Sequence, residues 1–107
     1  MSDLYPPFLK WGEYKSKDEK KPDIIEVEVL ELETFETEYS INVSASVDGI
    51  EKIIPLHSFE SKNKQLIQKW NDAVRNKKAK VGKKFKIKTW LGISKNKNPI
   101  RRFELVF

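Results

Sequence analysis

The chain contains no cysteine and only one histidine, His57. Without thiols there is neither a disulfide framework nor a thiolate metal site, and a lone imidazole does not hold zinc or a related ion. His57 is followed directly by Ser58, but neighbours at a strand end cannot form the nucleophile–base–orienter geometry of covalent catalysis. The four glycines are isolated, so no glycine-rich phosphate loop is present. No apolar run reaches the length of a signal-peptide core or a membrane span, and the first twenty residues are polar and proline-containing. These absences lead us to expect a cytoplasmic protein that is not an enzyme, carries no cofactor or metal, and has no membrane partner.

Acidic residues are scarce in one half only. Residues 1–60 hold six lysines against fourteen acids, a net −8, whereas residues 61–107 hold fifteen basic residues against two acids, a net +13. Such asymmetry favours an anionic partner, unless the two halves neutralise each other in the fold. The only acids in the basic half are Asp72 and Glu104, which argues against a two-metal nuclease, whose carboxylates must converge beside the bound strand.

At 107 residues, with 38% hydrophobic and 11% aromatic content, the chain suits one domain with a modest core. Residues 1–21 read as an arm whose Leu4, Tyr5, Phe8, Leu9, Trp11 and Tyr14 are too apolar for a free tail. Lys15–Lys21 reads as a charged, mobile loop. The domain proper is expected over 22–107. A first strand starts near Ile24, with Ile25, Val27 and Val29 alternating against Glu26 and Glu28. The phase then slips at Val29–Leu30, which predicts a β-bulge bending a long strand.

A second strand places Tyr39, Ile41, Val43, Ala45 and Val47 on the core side and Ser40, Asn42, Ser44 and Ser46 outside. Asp48–Gly49 supplies a tight hairpin turn into a third strand, Ile50–Leu56. A helix over about 63–77 presents Leu66, Ile67, Trp70, Ala73 and Val74 as one apolar stripe, with Ser61 or Asn63 as its cap. Two further strands follow, Lys83–Ile93 and Ile100–Phe107.

Three strands, one helix and two strands, with a bent first strand and a DG hairpin, resemble the OB-fold, a five-stranded Greek-key barrel with one helix between strands three and four. The acidic bent strand and basic last hairpin look like those of small single-stranded-DNA-binding proteins. The resemblance rests on element order and covers residues 22–107. It implies a mainly β barrel with ligand lying across strands two and three, flanked by the loops at about Thr34–Thr37 and Gly92–Asn98.

The richest candidate site is KKFKIKTWLGISKNKNPIRR, Lys83 to Arg102, with eight basic residues and no acid. Lys84, Lys86, Lys88 and Trp90 alternate with Phe85, Ile87 and Leu91 and so share an outward face. Phosphates need cations and unpaired bases need a surface to stack on, and this face offers both. The nucleic-acid-binding candidates are therefore Trp90, Lys86, Lys88, Lys95, Lys97, Arg102 and, from the arm, Trp11.

Each candidate has a competing role. Glu26 and Glu28 on the neighbouring first strand compete for the strand lysines. The arm competes for Trp90, and plugging the barrel end competes for Trp11. Tyr39 is read as core, with edge exposure as the alternative. The function expected is binding of single-stranded DNA with low sequence specificity. RNA binding, or an OB module that engages protein partners in a nucleic-acid-processing complex, are the alternatives.

Overall fold

The computed structural model describes residues 6–107, so Leu4 and Tyr5 of the arm lie outside the described residues. Among these residues the chain is mainly β, with six strands in one open antiparallel sheet and a single α-helix. β1 (Asp23–Val29) buries Ile25, Val27 and Val29 and leaves Glu26 exposed, as its alternation dictates. It stops at Val29. The phase slip at Leu30 is the chain leaving the sheet, and not the bulge expected there; Leu32 still packs against the core from the following loop. β2 (Phe35–Glu36) falls in the segment read as a loop and pairs with Ile41 and Asn42 of β3 (Ser40–Val47).

The hairpin between β3 and β4 (Ile50–Ser58) turns on Asp48 and Gly49, with φ of 51° and 86°, the pair of positive angles a type I′ turn requires. Asp48 also ties the turn to β1: its backbone N–H donates to the Glu26 carbonyl, and its carboxylate accepts the Glu26 N–H. The register shift that does occur lies in this hairpin. Asn42 opposes Pro55 and Ile41 opposes His57, leaving Leu56 without a partner residue. Pro55, which has no N–H to give, sits at the irregularity where a missing donor costs least.

The shift overturns part of the expected β3 pattern. Tyr39, read as core, precedes the strand and is 70% exposed. Ser40 and Asn42, read as outer-face residues, are buried and satisfy each other: the Ser40 hydroxyl donates to Asn42 Oδ1, and Asn42 Nδ2 donates to the Ser40 carbonyl.

The helix α1 (Gln65–Arg75) buries Leu66, Trp70 and Ala73 on the predicted stripe. It begins two residues later than expected. Asn63 Oδ1 accepts the Gln65 N–H and the Ser61 hydroxyl oxygen accepts the Asn63 N–H, two linked turns leading into the first helical turn. At the other end Lys78 N–H donates to the Ala73 carbonyl and Lys77 N–H to the Val74 carbonyl, a Schellman motif. Its left-handed residue is Lys77, at φ 60°. A side chain in that conformation costs about 1–2 kcal/mol, which glycine avoids. Lys77→Gly should therefore raise the thermal midpoint by roughly 4–8 °C, about 1 kcal/mol, in a melting experiment. A lower midpoint would show that the Lys77 side chain contributes more than its backbone strain removes.

β5 (Lys84–Ile93) pairs with β1 on one edge and β6 (Pro99–Val106) on the other. β3 carries β4 along one edge and shares its other edge between β2 and β1. The core lies on the concave side, where Val27, Val43, Ile54, Phe85, Ile87 and Phe103 meet the helix stripe.

The five-stranded closed barrel is corrected on two counts: there are six strands, and no ladder joins β4 to β6 among the described residues. The reason is that the hydrogen-bonding groups which would close it are spent elsewhere. Leu9 N–H donates to the Ile53 carbonyl and Ile53 N–H to the Pro7 carbonyl, so the arm occupies the outer edge of β4. On β6 the Asn63 side-chain amide takes the Arg101 carbonyl.

The arm then crosses the gap as a strap. A 3-10 turn at Trp11–Glu13 aims the Trp11 indole N–H at the Pro55 carbonyl (2.9 Å) and sets its ring edge-on to Phe103, with centroids 5.0 Å apart. Arg101 Nη2 donates to the Tyr14 carbonyl, and Leu91 N–H to the Ser16 carbonyl. Lys15–Lys21, expected as a mobile loop, is a turn organised by Ser16, whose hydroxyl donates to the Lys21 carbonyl.

Candidate nucleic-acid interface

Alternation along β5 sends Phe85, Ile87 and Thr89 into the core and Lys84, Lys86, Lys88 and Trp90 to the outer face. The register fixes their neighbours. Lys84 opposes Glu28, and Lys86 opposes Glu26, the competition anticipated from sequence. Neither pair closes to within ion-pair distance, and Lys88 instead reaches Glu104 of β6 at 3.9 Å. An exposed pair at that separation contributes at most about 1 kcal/mol. The face is thus mixed in sign near its base and wholly positive towards the β5–β6 turn.

Trp90 lies at that positive end, opposite Arg102. It is half-buried and stacks on no other ring among the described residues. Trp70 differs in kind: it is buried against Phe85 in the core, with its N–H unpaired among the described residues. Beside Trp90 the sheet has a notch. A Cβ on Gly92 would lie 3.3 Å from Arg102 Cγ, so the Arg102 side chain runs across the bare glycine backbone. Missing side-chain bulk at residue 92 therefore lets the side chain of Arg102, the cross-strand neighbour of Trp90, lie against the sheet.

The turn itself is closed by Lys97 N–H donating to the Ser94 carbonyl and Ser94 N–H donating to the Asn98 carbonyl. Lys95 and Lys97 are exposed at its tip. Lys97 adopts φ 60°, a position where glycine or asparagine is unstrained. The turn thus carries an exposed cation at residue 97, with no carboxylate in ion-pair contact among the described residues.

The structure therefore gathers Trp90, Arg102, Lys95 and Lys97 at one end of the hairpin, and Lys86 and Lys88 further down the same face. Trp11 is elsewhere. It belongs to the strap on the concave side, where it packs on Phe103.

Two residues gain roles that sequence reading left unassigned. Arg101 points inward, opposite in sense to Arg102, and donates from Nη1 to the Thr89 hydroxyl and from Nη2 to the Tyr14 carbonyl. Burial lowers its pKa from the usual arginine value, an effect that Asp23 opposes. His57 lies at the end of β4, edge-on to Phe59, and its Nδ1 is buried without a partner among the described residues. The sequence signal for Arg101 was the alternation that sent Arg102 outward; for His57 there was none beyond its being the lone histidine.

Among the described residues no three metal-capable side chains converge, and no helix is long and apolar enough to cross a membrane. Comparison of the chain with protein-family models, with curated proteins and with solved structures finds no match to any of them.

Proposed function

We propose that the protein binds single-stranded DNA with little sequence preference, through the outer face and tip of the β5–β6 hairpin. One observation carries this reading: among the described residues Trp90 pairs with no other ring, and it lies opposite Arg102, whose side chain crosses the notch at Gly92. A base laid on that indole gains about 1–3 kcal/mol by stacking, whichever base it is. Arg102, Lys95 and Lys97 then take the flanking phosphates, with Lys86 extending the track along the sheet. Lys88 contributes less, because Glu104 offsets its charge.

The strand order supports the same reading through its likeness to an OB-fold. The pairings of β1 with β3, β3 with β4, β1 with β5 and β5 with β6 follow OB order, and α1 lies between β4 and β5. Among the described residues the closing pair of β4 and β6 is missing, and the strap stands in for it. The turn between β5 and β6 corresponds to one of the two loops that flank ligand in such folds.

Contacts to four to six phosphates predict a log–log salt slope of about −3 to −4, from roughly −0.7 per contact on single strands. Titrating tryptophan emission with an oligothymidylate at several salt concentrations measures it. Affinity indifferent to salt would overturn the reading, and an equal-length oligouridylate tests whether the 2′-hydroxyl matters.

A further inference from the structure

Where β4 and β6 fail to meet, the strap leaves an open cleft of about 170 Å³, lined by Trp11, His57, Ser58, Ser61, Arg101 and Phe103 among others. Three of its features are unexplained by the fold alone. His57 Nδ1 is buried with no hydrogen-bond partner among the described residues, although the large majority of buried side-chain polar atoms are paired and an orphan costs about 1–3 kcal/mol. Arg101 uses two donors on neutral oxygens and has no carboxylate in ion-pair contact among the described residues, leaving guanidinium capacity facing the cleft. Asp23, the acid that influences it, accepts the Ser16 N–H instead. The third feature is the aromatic wall formed by Trp11 and Phe103.

A ligand that matches all three has a flat π-face, a hydrogen-bonding edge and an attached anion. A nucleotide has each. The cleft and the outer face also communicate: Arg101 and Arg102 are adjacent on β6, one on each side of it, and β6 has no strand on its outer edge among the described residues. A strand held on Trp90 and Arg102 need only fold over that edge to place its next unit in the cleft.

We propose that the β4–β6 cleft takes one unstacked base of the bound single strand, its ring against Trp11 and Phe103. Its edge then meets His57 and the serine hydroxyls, and its phosphate meets Arg101. This inference rests on the hairpin reading above. It adds a second, concave subsite that reads base edges, where the hairpin reads only π-faces and charge.

The lone histidine makes the test specific. In the ¹⁵N-labelled full chain, the His57 ring nitrogens are followed by long-range ¹H–¹⁵N correlation while an oligothymidylate is added, with tryptophan emission monitored in parallel. The expected result is a His57 Nδ1 shift that saturates together with the emission change. An oligomer of equal length without bases should leave that signal in place. His57→Ala should weaken oligothymidylate binding about fivefold, the equivalent of one hydrogen bond, and leave binding of the baseless oligomer unchanged. Emission quenching with an unmoved His57 signal, or equal losses on both oligomers, would overturn the cleft subsite and leave the hairpin reading standing. Absence of any emission change would overturn the hairpin reading and this inference with it.

Discussion

Replacing Trp90 by alanine together with Lys97 by glycine is expected to weaken oligothymidylate binding about 10- to 200-fold while leaving the protein folded. Lost stacking accounts for most of it, since about 1–3 kcal/mol corresponds to roughly 5- to 150-fold in affinity. Lys97 adds a phosphate contact, and its removal should make the salt slope shallower by about 0.7. Glycine is chosen at residue 97 because the backbone there has φ 60°, so alanine would keep the strain while removing the charge. Stability and binding then move in opposite directions for Lys97→Gly alone: the thermal midpoint rises and affinity falls. A fold defect produces the opposite pairing, with both quantities falling. Fluorescence or anisotropy titration of the double variant, with a melting curve beside it, separates the two.

Trp11→Ala should destabilise the fold by about 2–4 kcal/mol, the largest stability effect expected of any half-buried residue in the chain. The ring is not in the sheet, yet it joins the two strands that the sheet leaves apart. Its N–H caps the Pro55 carbonyl on β4, and its edge-to-face contact is with Phe103 on β6. Removing it leaves a carbonyl unpaired and opens apolar surface at Phe103 and Tyr14. In a domain of this size that energy lowers the thermal midpoint by roughly 10–25 °C. Urea unfolding gives the same quantity independently. A shift of only a degree or two would mean that the strap is an ornament on a self-sufficient sheet.

The alternation of β1, β5 and β6 and the stripe of α1 were legible because each element obeys a single period along its length. Ile25, Val27 and Val29, or Phe85 and Ile87, leave no choice of face. The Asp48–Gly49 turn was equally plain, since Asp-Gly between two alternating segments is the strongest short-range signal of a hairpin. Reading failed where one residue slips. The register shift opposite Leu56 turns Tyr39 outward and Asn42 inward, and nothing in the local pattern of β3 marks it, because the extra residue is on β4. The phase slip at Leu30 had two explanations, a bulge or a strand end, which periodicity does not distinguish.

Barrel closure was beyond reach for a different reason. Whether β4 pairs with β6 depends on what else competes for its edge, and the competitor is a segment some 45 residues earlier, Pro7–Leu9. At the site, alternation placed Trp90 and the strand lysines on one face, but the notch at Gly92 and the left-handed Lys97 belong to three-dimensional geometry. The Arg101 contact to the Tyr14 carbonyl and the orphan nitrogen of His57 become visible only once the strap has been traced across the gap.

The central claim is that the β5–β6 hairpin is the surface that meets a single strand. Amide shift mapping of the ¹⁵N-labelled protein with an oligothymidylate at low salt tests it directly. The account predicts the largest displacements at Trp90, Gly92, Lys95, Lys97 and Arg102, with Lys86 next along the face. Displacements gathered on the outer faces of β3 and β4 instead, or none at all, would contradict it.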